Sequence, residues 1–192
     1  GPLSNFLARF RLKHPHIEVV VLSLDPSNIS EILIAGDVDI AFTNAELIEP
    51  TRFKTKFLYQ EKMVVASSRD HMFADLKSVT FEQVTQEPYI DRLQCEFRQA
   101  FLSKVEQESL EASFAVRTDN ETLSQVLVGL GVGVTILPEF SVENSNVVTT
   151  PLADVSLERT ITMAVSYGRE DTDVVRSFLQ EIVDFGWPGT ND

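Results

Sequence analysis

The sequence predicts an α/β fold, and three observations carry that class. Helical and extended signals alternate along the chain from its start. Residues 126–139 join an apolar helix, a glycine stop and an apolar strand with no polar spacer between them. The 192 residues are 43% apolar, enough for an ordinary core, and show no internal repeat or low-complexity tract.

A first helix is expected over residues 2–13, where Pro2 suits a first helical turn and Leu3, Phe6, Leu7 and Phe10 recur at helical spacing. Residues 17–24 read as a strand because β-branched residues dominate them. Pro26 and Ser27 mark a turn, followed by a helix over 28–35 and a strand over 38–42. Residues 53–59 and 62–67 read as two strands, with no helix cap between them. A short helix near 81–84, a strand at 89–90, a helix over 96–108 and a strand over 113–116 come next.

Thr118, followed three residues later by Glu121, has the spacing of a capping box for the next helix. The buried face of that helix is expected to carry Leu123, Val126, Leu127 and Leu130. Gly131 and Gly133 permit a left-handed or closely approached backbone, and a buried strand over 134–137 stops at Pro138. Extended segments at 147–151 and 160–166 precede a last helix over 173–185, whose Val174, Val175, Phe178, Leu179 and Ile182 share one side.

Composition narrows the function. With 16 basic and 29 acidic residues the formal net charge is −13, which repels a phosphate backbone, so the chain alone is not expected to bind DNA. No apolar run approaches the ~20 residues that span a bilayer, and the start does not read as a signal peptide. A single cysteine excludes an intrachain disulfide and fits a reducing compartment, so the cytoplasm is expected. No P-loop, HExxH or nucleophile elbow occurs, and His14 and His16 flank Pro15 on a turn, poor positions for a metal or a base. The spacing Gly129-x-Gly131-x-Gly133 ends a helix and starts a strand, the reverse of a phosphate cradle, and reads as packing. No catalytic residue, metal or cofactor is assigned, and the chain is not expected to be an enzyme.

Three segments stand in a telling order. Residues 6–15, residues 32–41 with the turn Gly36-Asp37-Val38-Asp39, and residues 126–139 together resemble the effector-binding domain of LysR-type transcriptional regulators. The resemblance implies a two-lobed periplasmic-binding-protein-like (type II) α/β fold with two hinge-crossing strands. Lobe I would take 1–63 and 167–192 and lobe II 64–166, with 63–67 and 161–166 as the crossings and the last helix returning to lobe I. It also implies a helix-turn-helix domain and a linker helix before residue 1, absent from this chain, and an opening strand with no counterpart here.

By the same resemblance a small effector would bind in the cleft between lobes. Thr43 and Asn44 follow the strand 38–42 and offer a hydroxyl and an amide, although both also suit a turn that ends a strand. Across the cleft lie Arg92, Leu93, Gln94 and Cys95, where an arginine would clamp a carboxylate through two bonds. Arg98 has Asp91, Glu96 or Glu106 as ready partners. Thr118, Asp119 and Asn120 complete the rim, where capping and ligand contact compete. Cys95 resembles the reactive cysteine of peroxide-sensing members of the family, but those use a second cysteine that this chain lacks.

The leading expectation is therefore a ligand-sensing regulatory domain acting within a homodimer or tetramer. By the resemblance the first helix would meet the partner's second lobe through Leu3, Phe6, Leu7 and Phe10, although the same residues also suit a core. DNA would be reached only through the missing domain, and no membrane contact is expected. A solute-binding protein of a transport system is the alternative, and thiol-based redox sensing through Cys95 a lesser variant.

Overall fold

The computed structural model describes residues 1–169 and 171–189; residues 190–192, which the sequence reading assigns to the first lobe, lie outside the described residues. In chain order the elements are α1 (Pro2–Lys13), α2 (Ile29–Ala35), β1 (Ala41–Asn44), β2 (Phe53–Ser68), α3 (Phe81–Gln86), β3 (Tyr89–Arg92), α4 (Arg98–Gln107), β4 (Phe114–Thr118), α5 (Glu121–Gly129), β5 (Thr135–Pro138), β6 (Val147–Pro151), β7 (Glu158–Ser166) and α6 (Asp173–Val183). They divide into two compact units, Gly1–Glu61 with Arg159–Asp192, and Lys62–Glu158.

The first unit is built on aromatic packing. Phe6 and Phe10 of α1 are buried, and their rings lie 5.1 and 4.7 Å from that of Phe178 on α6. Phe42, Phe185 and Trp187 close around them, so of the two readings of the first helix both phenylalanines take the core one and are unavailable to a partner. Lys13 Nζ donates to Glu181 at 2.7 Å, tying the two helices at their ends and holding the Glu181 carboxyl below its usual range. β1 runs antiparallel to β7 from Ala41↔Ala164 to Asn44↔Ile161.

Three strand assignments change in this unit. Residues 17–24 form no strand, and Val20, Val21 and Leu22 are 73%, 64% and 57% exposed. Propensity makes no strand without a neighbour to complete the ladder, and no described residue pairs with this run. The strand expected over 38–42 begins only at Ala41, where β7 starts to supply partners. The runs 53–59 and 62–67 are one strand, because Gln60 and Glu61 stay in the ladder with their polar groups bonded to Thr160 and Arg159.

In the second unit, the end of β2 pairs antiparallel with β5 on one side, Val65↔Ile136, and β6 on the other, Val65↔Thr150. β3 and β4 form a parallel pair. Tyr89 stacks on Phe101 with centroids 4.3 Å apart, in a core that includes Val65, Phe73, Phe81 and Ile136. A capping box does form, at Thr80 and Gln83 of α3, a position not singled out from sequence. Gly131 has φ +76°, and at Gly133 the backbone passes so close to the Pro88 carbonyl that a Cβ would lie 2.2 Å from its oxygen.

α5 departs from the expected amphipathic pattern: of the expected face only Leu127, half-buried, packs against the core. Its buried residues are Ser124, Gln125 and Val128, whereas Leu123, Val126 and Leu130 are 45%, 40% and 72% exposed. The polar face is tolerated inside because its groups are satisfied: Gln125 donates to the Ser141 carbonyl at 2.8 Å and accepts from the Glu143 N–H at 3.0 Å. Periodicity marks the apolar face but does not say which side is covered. Among the described residues no helix is long and apolar enough to cross a membrane.

Candidate functional site

The site is assembled at the C-terminal ends of the parallel strands β3 and β4, where Arg92 and Thr118 are register partners. In α/β proteins, ligands collect outside the carboxyl ends of parallel strands, where loops are free to vary. Leu93 N–H donates to the Thr118 carbonyl at 2.9 Å, carrying the pairing one residue beyond β3. Leu93 is 45% exposed, and Gln94 next to it and Asp119 next to Thr118 are exposed as well.

Arg92 organises this end. Its side chain is 13% exposed; Nη1 donates to the Ile136 carbonyl at 2.9 Å, and Nε donates to Glu121 Oε2 at 2.6 Å. Nη1 also lies 3.6 Å from Cys95 Sγ, and the half-buried Cys95 packs against the core of the unit. Thr118 is buried and its Oγ1 accepts from the Asn120 N–H at 3.0 Å.

Asn120, not Thr118, caps α5: its Oδ1 accepts from the Leu123 N–H at 2.9 Å. The expected box of Thr118 and Glu121 does not form. Thr118 is still in β4, two residues before the cap position and paired in the extended ladder, and Glu121 turns to Arg92 instead.

A second arginine is arranged differently. Arg98 holds both oxygens of Asp91 at 2.8 Å, and Arg117 stands 3.6 Å from the same carboxylate, whose side chain is 3% exposed. Donation to Asp91 raises the pKa of Arg98 above its ordinary value. This pair anchors α4 to β3. Tyr89 Oη accepts from the Ile136 N–H at 3.3 Å, and burial pushes its phenol up to about 12.

Thr43 and Asn44 end β1 in the first unit, 7% and 9% exposed. Asn44 Oδ1 accepts from the Glu46 N–H at 3.3 Å, capping the turn Ala45–Leu47. The other seven candidates lie in the second unit, where Arg92, Leu93, Cys95, Thr118 and Asn120 are linked by the contacts above. A cavity of about 440 Å³ lies in the first unit beside α1, lined by Leu7, Arg11, His16 and Glu18 among others, and by none of the candidates.

Sequence reasoning missed two participants. Glu121 carries a clear signal as an acid in a first helical turn, but nothing in the sequence couples it to an arginine so far upstream. The Ile136 carbonyl is a backbone group and leaves no sequence signal. Among the described residues no group of three or more His, Cys, Asp or Glu is disposed to hold a metal ion. What the site offers is recognition chemistry: a guanidinium, backbone N–H groups and short polar side chains.

Comparison with known proteins assigns the chain to a family. The profile of the LysR substrate binding domain matches residues 1–186. The uncharacterized HTH-type transcriptional regulator YvbU of Bacillus subtilis (strain 168) is 25% identical over 187 residues, covering 93% of this chain and 61% of that protein. The chain thus spans less than two thirds of that relative's length.

Among solved structures, HinK, a LysR family transcriptional regulator from Pseudomonas aeruginosa, superimposes with a TM-score of 0.76 at 22% identity, over 95% of this chain and 64% of that one. The CcmR regulatory domain of Synechocystis PCC6803, solved in complex with 2-PG, gives 0.76 at 16% identity over 95% and 89%. The fold is therefore the type II periplasmic-binding-protein-like α/β fold of such domains.

Proposed function

Because the chain belongs to the family of LysR substrate binding domains, we propose that it is the effector-sensing part of a LysR-type transcriptional regulator. A small molecule binds at the carboxyl ends of β3 and β4, and its differential affinity for two arrangements of the oligomer is what it transmits. The observation that carries this reading is Arg92, a sheltered guanidinium beside Leu93 and Thr118 at a strand end where ligands collect. The relatives are regulators, and one regulatory domain is described in complex with 2-PG, which favours this reading over a transport-system solute receptor.

We assign DNA contact to a separate helix-turn-helix part; the HTH-type name of the relative supports this, as does a net charge of −13, which phosphates repel. The protein works in the cytoplasm as a homodimer or higher oligomer. The exposed stripe Leu123, Val126 and Leu130 on α5 supports contact with a second copy, because such a stripe at helical spacing is costly to leave in water.

A thermal-shift screen of small metabolites tests the effector reading. A ligand at 100 times its Kd adds about 2.7 kcal/mol of stability. At least one compound is expected to raise Tm in the wild type and to lose most of that shift in Arg92→Gln. A screen in which every positive compound acts equally on both proteins would refute the site.

A further inference from the structure

Arg92 and Glu121 are paired differently from the neighbouring Arg98 and Asp91. Arg98 meets Asp91 through two separate oxygens, and that carboxylate is 3% exposed, so neither partner has anywhere else to go. Arg92 instead directs both Nε and Nη2 at one oxygen of Glu121, each at 2.6 Å. The parallel fork that a guanidinium makes best with a carboxylate is left unmade.

The two partners are also held unequally. Arg92 is 13% exposed and is fixed by its bond to the Ile136 carbonyl, whereas the Glu121 side chain is 44% exposed. The second oxygen of Glu121 has one long contact, 3.4 Å from Gln125 Nε2, and Gln125 is itself secured by Ser141. Rotating Glu121 into water therefore moves a carboxylate that is already half-solvated, while Arg92, held by the Ile136 carbonyl, stays in place and is left needing an anion.

From this asymmetry we infer that Glu121 is a displaceable internal counter-ion, and that the subsite it covers takes the carboxylate of an acidic effector. The incoming group exchanges an end-on contact for the two parallel bonds Glu121 does not make. Neutral molecules cannot replace the charge and leave Arg92 satisfied by Glu121, so the pair acts as a filter for anions. This rests on the effector-binding reading above, and adds to it the ligand's charge and the residue that must move.

The probe is sodium acetate, the smallest carboxylate that can make the fork. It is titrated against sodium chloride at equal ionic strength, read by the Arg92 Nε–Hε and Leu93 amide resonances. Glu121→Gln keeps the side chain's volume and removes its charge; Glu121→Ala is the second variant, and a thermal melt confirms that each is folded.

Saturable acetate shifts are expected in both variants, with an apparent Kd at least about tenfold lower than in the wild type. The Leu93 response is expected to vanish in Arg92→Gln. Equal responses in wild type and variants, or no saturable response in the variants, would overturn the inference. If metabolites still raised Tm in that case, effector binding would stand without the counter-ion; a screen without Arg92-dependent positives would remove the effector reading while the acetate result stood on its own.

Discussion

Glu61 and Arg159 form an ion pair at 2.6 Å, with side chains 1% and 23% exposed, at the two points where the chain passes between its compact units. Both belong to the first unit. Just beyond them, in the second, Met63 N–H donates to the Leu157 carbonyl at 2.8 Å, so the two crossing strands are bonded on either side of each crossing. A carboxylate this dry depends on its counter-charge, since removing one partner of a buried pair leaves an uncompensated ion.

Arg159→Met is therefore expected to lower unfolding free energy by about 3–5 kcal/mol, and the double variant Glu61→Met with Arg159→Met to recover most of it. Urea unfolding of the three proteins measures this. A single variant as stable as the wild type would show that Glu61 is not sheltered as described.

Gly133 allows a close crossing. Val134 N–H donates to the Pro88 carbonyl at 2.8 Å, and a Cβ at Gly133 would come 2.2 Å from that same oxygen. Gly133→Ala must push two backbone segments apart and is expected to cost about 1–3 kcal/mol. Gly131→Ala meets only ordinary van der Waals contact, with Ser68 Oγ at 3.8 Å, and is penalised only for φ +76°, by about 1 kcal/mol. Thermal melts should rank the two substitutions in that order.

Tyr89 makes the fold sensitive to base. Burial raises its phenol from 10.0 to about 12, so between those values the native state keeps a proton that the unfolded chain releases. Stability from this group is complete below pH 10 and falls as pH rises through 12. Tyr89→Phe removes this dependence, and its stability should fall less steeply than the wild type's over that window when followed by chemical unfolding at fixed pH.

Leu130 tests the oligomer. It is 72% exposed at the C-cap of α5, so Leu130→Glu should leave monomer stability within about 0.5 kcal/mol. Sedimentation velocity is expected to show a concentration-dependent dimer for the wild type and a monomer for the variant. An unchanged dimer would place the contact elsewhere.

How far these features were legible differs by residue. The helices α1, α2 and α6 follow from local signals that act within a turn or two: Pro2 at the first turn, Gly36 in the left-handed conformation after Ala35, and Thr172, whose hydroxyl accepts from the Val175 N–H. Arg92, Thr118 and Asn120 were identifiable as neighbours of strand ends. Glu121 was visible only as a helix-start acid, because its partner is fixed by the parallel register of β3 with β4.

What the sequence by itself determined is the succession of elements and the turns between them, since capping, backbone restriction and apolar spacing are local. Tertiary structure alone decided which faces are covered and which charges meet. Residues 17–24 have every propensity for a strand and form none, because a ladder needs a second chain segment. α5 turns Gln125 inward and Leu130 outward, because the loop carrying Ser141 and Glu143 supplies the bonds that make a buried amide affordable. Arg92 faces Glu121 for the same reason: the pairing is a property of packed elements, which no spacing along one chain encodes.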